Sequence, residues 1–340
     1  MRQFPLGWLL VSFVASATPA MAASTLDHVR KAGDLTCGVV STPEDWGKED
    51  LHGPLMPLSL EICKAVAVAS LGTQAKVQAH VYETEREAEA GVAKHEVDLT
   101  VGVTPDATSG WQYNIGFGPP IFYDGQGFLV RSDETVTSVA GLAGLKVCVI
   151  EGTENEKTLL ARTVAKGIAI VPLPFQEEGE MDDGMAVRHC DAVSAYVSRL
   201  AATKSEYPKQ LGQDRILPRM LTLDPVAVAY RPDDAQWQRI VDWTIYALIQ
   251  AEASGVTQAN VASQRGSEDP VIQRLLGVDW ATSRALGLPA KDWAAQVIAV
   301  VGNYGEIYDR TVGEQSPLKL PRGPNALWTS GGLMAPLPLR

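Results

Sequence analysis

Between Lys94 and Arg131 the chain has no lysine or arginine. The gap begins on V-D-L-T-V-G-V, which reads as a buried strand, and continues through T-P-D-A-T-S-G-W-Q-Y-N. A loop at the end of a parallel strand is a usual place for a ligand contact. Without a cation, this one cannot grip an anion through an ammonium or guanidinium group. It offers Thr104, Asp106, Ser109 and Trp111 instead. Other things are missing too. There is no C-x-x-C or H-x-x-x-H spacing and the five histidines are scattered, which argues against a structural metal. No Ser-His-Asp or Cys-His arrangement stands out, and neither does a paired-carboxylate motif. Past the first residues no segment approaches the ~20 apolar residues that a membrane span needs. A basic excess is also absent: 29 Lys and Arg face 40 Asp and Glu, a formal charge of −11. Such a surface is poorly suited to nucleic acid or anionic membrane.

What is present is ordinary globular material. The 340 residues are 46% hydrophobic and 20% charged, enough for two cores of moderate size, without repeats or low-complexity tracts. The chain starts M-R-Q, then F-P-L-G-W-L-L-V-S-F-V-A-S-A, then T-P-A-M-A-A. A cation, an apolar stretch and the Ala20-x-Ala22 pattern describe a cleaved secretory signal over 1–22. Cleavage near Ala22 removes Arg2 and takes the charge from −11 to −12. The mature protein is therefore expected to be soluble and exported. In that compartment four cysteines suggest disulfides. Three pairings are possible in principle. Cys37–Cys63 and Cys148–Cys190 are favoured, because each pair lies within one stretch of alternating strands and helices.

The order of elements suggests two such stretches. A strand from Leu35, a helix from about Ser59 to Leu71, strand V-Q-A-H-V-Y, an acidic helix E-T-E-R-E-A-E-A-G-V-A and strand Val97–Val103 spell β-α-β-α-β. That order implies a parallel sheet with covering helices. A second α/β run covers G-F-L-V-R, K-V-C-V-I, a helix over Glu154–Lys166, I-A-I-V-P, a short helix around Met181–Arg188 and C-D-A-V-S-A-Y. The chain returns through strand Val226–Tyr230 to helices at Gln236–Ser254, Pro270–Leu276 and Trp293–Val301, and ends in a Pro- and Gly-rich strap. The pattern predicts one lobe from 23–127 plus 229–340 and a second from 128–228. Crossings are expected near Gly125–Arg131 and Thr222–Tyr230, an architecture that closes by hinge motion.

Several long motifs carry a family resemblance. F-Y-D-G-Q-G-F-L-V-R, W-T-I-Y-A-L-I-Q-A-E-A-S-G-V-T, V-G-N-Y-G-E-I-Y-D-R, S-P-L-K-L-P-R-G-P-N-A-L-W and the four cysteine contexts resemble the periplasmic solute-binding proteins of the general L-amino-acid ABC transporters, in solute-binding family 3. The resemblance covers essentially the whole mature chain. It implies a type II two-lobed α/β periplasmic binding protein with a C-terminal helical extension. It also implies a small solute held between the lobes, delivery to an inner-membrane ABC permease, no cofactor and no catalysis. The cysteine contexts match the family's and support the two within-lobe bridges.

The departures concern the ligand. The resemblance places an Arg for the solute's α-carboxylate where this chain has Ser109-Gly110-Trp111, and another near Gly102. An Asp for the α-ammonium group is replaced by Tyr196. Where the family has a Gly-Thr-Thr-like run, this chain has E-G-T-E-N-E-K-T, with Thr153 and Glu154 at a helix entrance. Both charged anchors of an α-amino acid are therefore expected to be absent. The candidate ligand contacts are Trp46, Thr104, Ser109, Trp111, Thr153, Glu154, Ser194 and Tyr196, with Asp106 as a counter-charge for an amine. Arg131, Arg188 and Arg199 are alternative cations, although each sits outside the ligand loops. The set suits a neutral, cationic or aromatic solute, captured by a monomer that does not bind nucleic acid. Two alternatives keep the fold: a sensory or accessory binding protein without its own permease, and a dehydratase-like enzyme using Glu154 or Asp106 as general acid.

Overall fold

The computed structural model describes residues 24–41 and 54–339. Residues 1–22, where a leader is expected, and Trp46 lie outside the described residues. Helix α1 (Thr25–Ala32) leads into β1 (Asp34–Val40), α2 (Met56–Leu71), β2 (Lys76–Tyr82), α3 (Glu85–Ala93) and β3 (Leu99–Val103). The three strands are parallel, and α2 and α3 are the crossovers that parallel pairing requires. Eleven of the 16 residues of α2 are buried. A helix apolar all round must be covered on both sides, and α2 has sheet on one side and the C-terminal helices on the other.

The next segment departs from the loop expected over 104–114. It contains α4 (Ala107–Tyr113), capped by Asp106, whose carboxylate accepts from Thr108 N (2.7 Å) and Ser109 N (2.9 Å). Thr, Gly and two aromatics are weak helix formers, so the cap carries more of the signal than the composition does. The strand β4 (Gly116–Asp124) follows and begins on the stretch G-F-G-P-P. It is an edge strand, and there proline is tolerated.

The chain then changes sheets. The second sheet contains β5 (Gln126–Val130), β6 (Lys146–Ile150), β7 (Val171–Phe175), β8 (Ala192–Tyr196) and β9 (Arg215–Ile216), in the order β7-β6-β8-β5-β9. Its covering helices are α5 (Glu154–Ala165), α6 (Glu178–Ala186) and α7 (Val197–Glu206). The return strand β10 (Asp224–Tyr230) inserts antiparallel between β3 and β4, giving the first sheet the order β2-β1-β3-β10-β4. Both sheets are therefore mixed and not wholly parallel. Sheet membership changes at Gly125 and again between Ile216 and Asp224. The two crossings run side by side: Leu221 N donates to Gln126 O (2.6 Å) and Gln126 N to Thr222 Oγ1 (2.9 Å). A Cβ on Gly125 would lie 2.3 Å from the Thr222 carbonyl oxygen, so only glycine fits this close approach.

The rest is helical: α8 (Ala235–Ala253), α9 (Val261–Gln264), α10 (Pro270–Leu275), α11 (Ala281–Leu286), α12 (Trp293–Val301) and α13 (Tyr304–Thr311). Among the described residues no helix is long and apolar enough to cross a membrane. The tail does form a strap, and its long motifs fasten it. Asn325 bonds both Tyr123 N (2.6 Å) and Tyr123 O (3.0 Å) on the outer edge of β4. Arg322 donates to both oxygens of Glu252 (2.9 and 3.0 Å) and lies 4.7 Å from the centre of the Tyr308 ring. These contacts cover an exposed sheet edge. Each lobe holds one disulfide, Cys37–Cys63 from β1 to α2 and Cys148–Cys190 from β6 to the residue before the Asp191–β8 turn.

Candidate functional site

Two cavities flank the crossing. The larger, about 560 Å³, lies between the strap and α7 and is walled by groups such as Phe122, Ala201, Leu217 and Leu320. The smaller, about 190 Å³, opens between the lobes and is lined by Glu85, Thr104, Asp124, Asn155, Tyr196 and Asp224, with Glu178 and Arg199. Only the smaller gathers the C-terminal ends of strands and the starts of helices from both sheets, where α/β folds place polar ligand contacts. It is the candidate site.

From the first lobe, Thr104 follows β3 directly. Its two donors are already engaged: Thr104 N donates to Glu85 Oε2 (2.8 Å) and Thr104 Oγ1 to Glu85 Oε1 (3.2 Å). Glu85 reaches across from the first turn of α3. Burial pushes its carboxyl up, the two bonds from Thr104 pull it down, and Asp106 and Asp224 raise it further.

Carboxylates also crowd the crossing. Asp124 ends β4 and Asp224 starts β10, and the two are direct cross-strand partners. Asp124 is almost fully buried; it accepts from Gly125 N (2.9 Å) and from Ser198 Oγ, and burial pushes its carboxyl up. Asp224 accepts from Thr222 Oγ1 (2.6 Å). Like charges directly opposite each other repel, and a bound cation would relieve that.

From the second lobe, Tyr196 stands between β8 and α7, 39% exposed. Burial first, then Asp224, Glu85 and other acids, push its phenol up to about 12, so it presents a neutral hydroxyl and an aromatic face. Arg199 lines the same wall but is engaged: Nε to Glu178 (2.7 Å), Nη2 to Asp182 (2.6 Å) and Nη1 to Thr203 (2.6 Å). Buried Gln126 donates to Asn155 O (2.7 Å) and Ser194 Oγ (2.9 Å), and its Oε1 has no hydrogen-bond partner among the described residues.

The candidates named from sequence therefore separate. Thr104 and Tyr196 meet in the cleft with Arg199. Ser194 lies beneath it, donating to Gly127 O (3.2 Å). Ser109 is buried with its hydroxyl on Asp106, and that bond, more than any other, holds the Asp106 carboxyl down. Trp111 is 86% exposed on the outside of α4. Thr153 caps α5, accepting from Glu156 N (3.2 Å), and Glu154 is exposed beside Lys157 (3.4 Å). Arg131 and Arg188 both pair with Asp133, away from the cleft. Glu85, Asp124, Asn155, Glu178 and Asp224 are cleft residues that the sequence did not single out. Among the described residues no group of three or more His, Cys, Asp or Glu is placed to hold a metal ion.

No family model matches the chain. Curated relatives do. The general L-amino acid-binding periplasmic protein AapJ of Rhizobium johnstonii is 36% identical over 330 residues, covering 96% of each chain. The glutamate/glutamine/aspartate/asparagine-binding protein BztA of Rhodobacter capsulatus is 33% identical over 337 residues, covering 97% of each. Among solved structures, an ABC transporter periplasmic binding protein from Brucella ovis, with glutathione bound, aligns with a TM-score of 0.77 at 33% identity, over 94% of this chain and 100% of that one. With two mixed α/β sheets, two crossings and a cleft between them, the chain belongs to the family of amino-acid-binding periplasmic proteins of ABC transporters, with the type II two-lobed fold.

Proposed function

We propose that this family member captures a small organic cation, such as an amine, diamine or guanidinium compound, and presents it to an ABC permease. The carrying observation is the charge inventory of the cleft. Its lining guanidinium, Arg199, is engaged by Glu178 and Asp182, while Asp124, Asp224 and Glu85 remain opposite. A solute with a positive nitrogen would find carboxylates and the neutral Tyr196 phenol, whereas a free carboxylate would find no uncommitted cation among the described lining residues. Closure about Gly125 and the 217–223 segment would bury the solute between the lobes. In this reading the leader is removed near Ala22, the mature protein acts as a monomer, nucleic acid is not a partner, and the solute leaves unchanged.

A thermal-shift panel on the mature, disulfide-intact protein tests this. It would contain the twenty L-amino acids, glutathione, polyamines, betaines, aromatic amines and short carboxylates. The tight ligand raises Tm by mass action, by about 2.7 kcal/mol of added stability at a hundredfold excess over Kd. Stabilisation by amines is expected. Strong stabilisation by ordinary L-amino acids or glutathione, with none by amines, would overturn the reading.

A further inference from the structure

We propose that Glu85 is a built-in carboxylate that occupies the anion seat of this cleft, and so selects solutes lacking an α-carboxylate. The inference rests on the cationic-solute reading and names the residue that enforces it. Thr104 presents a backbone N–H and a hydroxyl side by side at the end of β3, inside the cleft. Two such donors form a natural seat for a carboxylate. The Glu85 oxygens take one each, at 2.8 and 3.2 Å, as a bound carboxylate would. The contact joins separate elements across 19 residues of sequence, so it is not a local helix cap. A solute carboxylate would have to displace Glu85 and would sit beside Asp224, which also lines the cleft.

Burial raises the proton affinity of Glu85, while the Thr104 bonds favour its ionised form. The charge that excludes a carboxylate also attracts an ammonium or guanidinium group.

Matched solutes that differ only by the α-carboxylate isolate the effect: agmatine against L-arginine, cadaverine against L-lysine and putrescine against L-ornithine. Calorimetry would measure each pair on the wild-type mature protein, on Glu85→Ala and on Glu85→Gln. The amine-over-acid preference is expected to fall at least tenfold in Glu85→Ala as the two Thr104 donors become free. Glu85→Gln should fall between, because an amide accepts at one atom only. Melting temperatures confirm that the variants fold; if Glu85→Ala does not, Glu85→Gln carries the comparison. A preference ratio unchanged from wild type in the folded variants would overturn the role of Glu85, whichever member binds better. A wild type that prefers the acids would instead overturn the cationic-solute reading, so the two failures are distinguishable.

Discussion

Asp242 shows what a carboxylate costs when it is half-buried without a cation. It lies on α8 and accepts from Tyr230 Oη (3.0 Å), and burial raises its pKa from 3.8 to about 6. The folded state therefore binds this proton more tightly than the unfolded chain does. The stabilising contribution is complete below the ordinary aspartate range and is lost as the pH rises through about 6. Asp242→Asn keeps an acceptor for Tyr230 and removes the charge. It should stabilise the protein at neutral pH by ~1–2 kcal/mol, after allowance for solvent screening, with the gain vanishing around pH 4. Denaturant titrations at the two pH values check this; a gain equal at both would contradict it. In the cleft, Asp124 and Asp224 are cross-strand partners, and a solute cation bound there would offset their repulsion. Glu85 could not have been found from sequence. It sits among Glu83, Glu87 and Glu89 in a run that reads as a solvated helix face, and only the tertiary approach of Thr104 singles it out. Thr104 and Tyr196 were legible because the first follows and the second ends a strand that the pattern marks clearly.

At the scale of elements, the crossing is the most constrained feature. Gly125 passes so near the Thr222 carbonyl that Gly125→Ala must push the two segments apart. Overpacking of this kind costs ~1–3 kcal/mol. The expected outcome is a lowered Tm and a changed solute affinity together, because the strain falls on the hinge; a Tm and affinity both equal to wild type would count against the crossing as the hinge. The strands and helices of both lobes were legible where apolar periodicity was uninterrupted, as in β1, α2 and β6. They were not legible where an edge strand carries Gly and Pro, as in β4, or where a seven-residue helix depends on one Asp cap, as in α4. The cysteine pairing needed only the rule that each bridge stays within its own lobe. Antiparallel insertion of β10 was beyond the β-α-β pattern, since it joins strands far apart in the sequence.

At the scale of the molecule, the scaffold and the cleft part company. Motifs such as V-G-N-Y-G-E-I-Y-D-R and L-P-R-G-P-N-A build the clasp of Tyr304, Tyr308, Arg322 and Asn325 along β4, and none of these four residues lines the smaller cleft. That is why the family is plain in the sequence while the solute is not. The cleft between the two lobes is lined by Glu85, Asp124 and Asp224, and its Arg199 is engaged by Glu178 and Asp182. The most direct measurement is calorimetry of agmatine and L-arginine on the wild-type mature protein with intact disulfides. The account predicts that agmatine binds at least tenfold more tightly, a difference of about 1.4 kcal/mol. L-Arginine binding as tightly as agmatine, or more tightly, would contradict it.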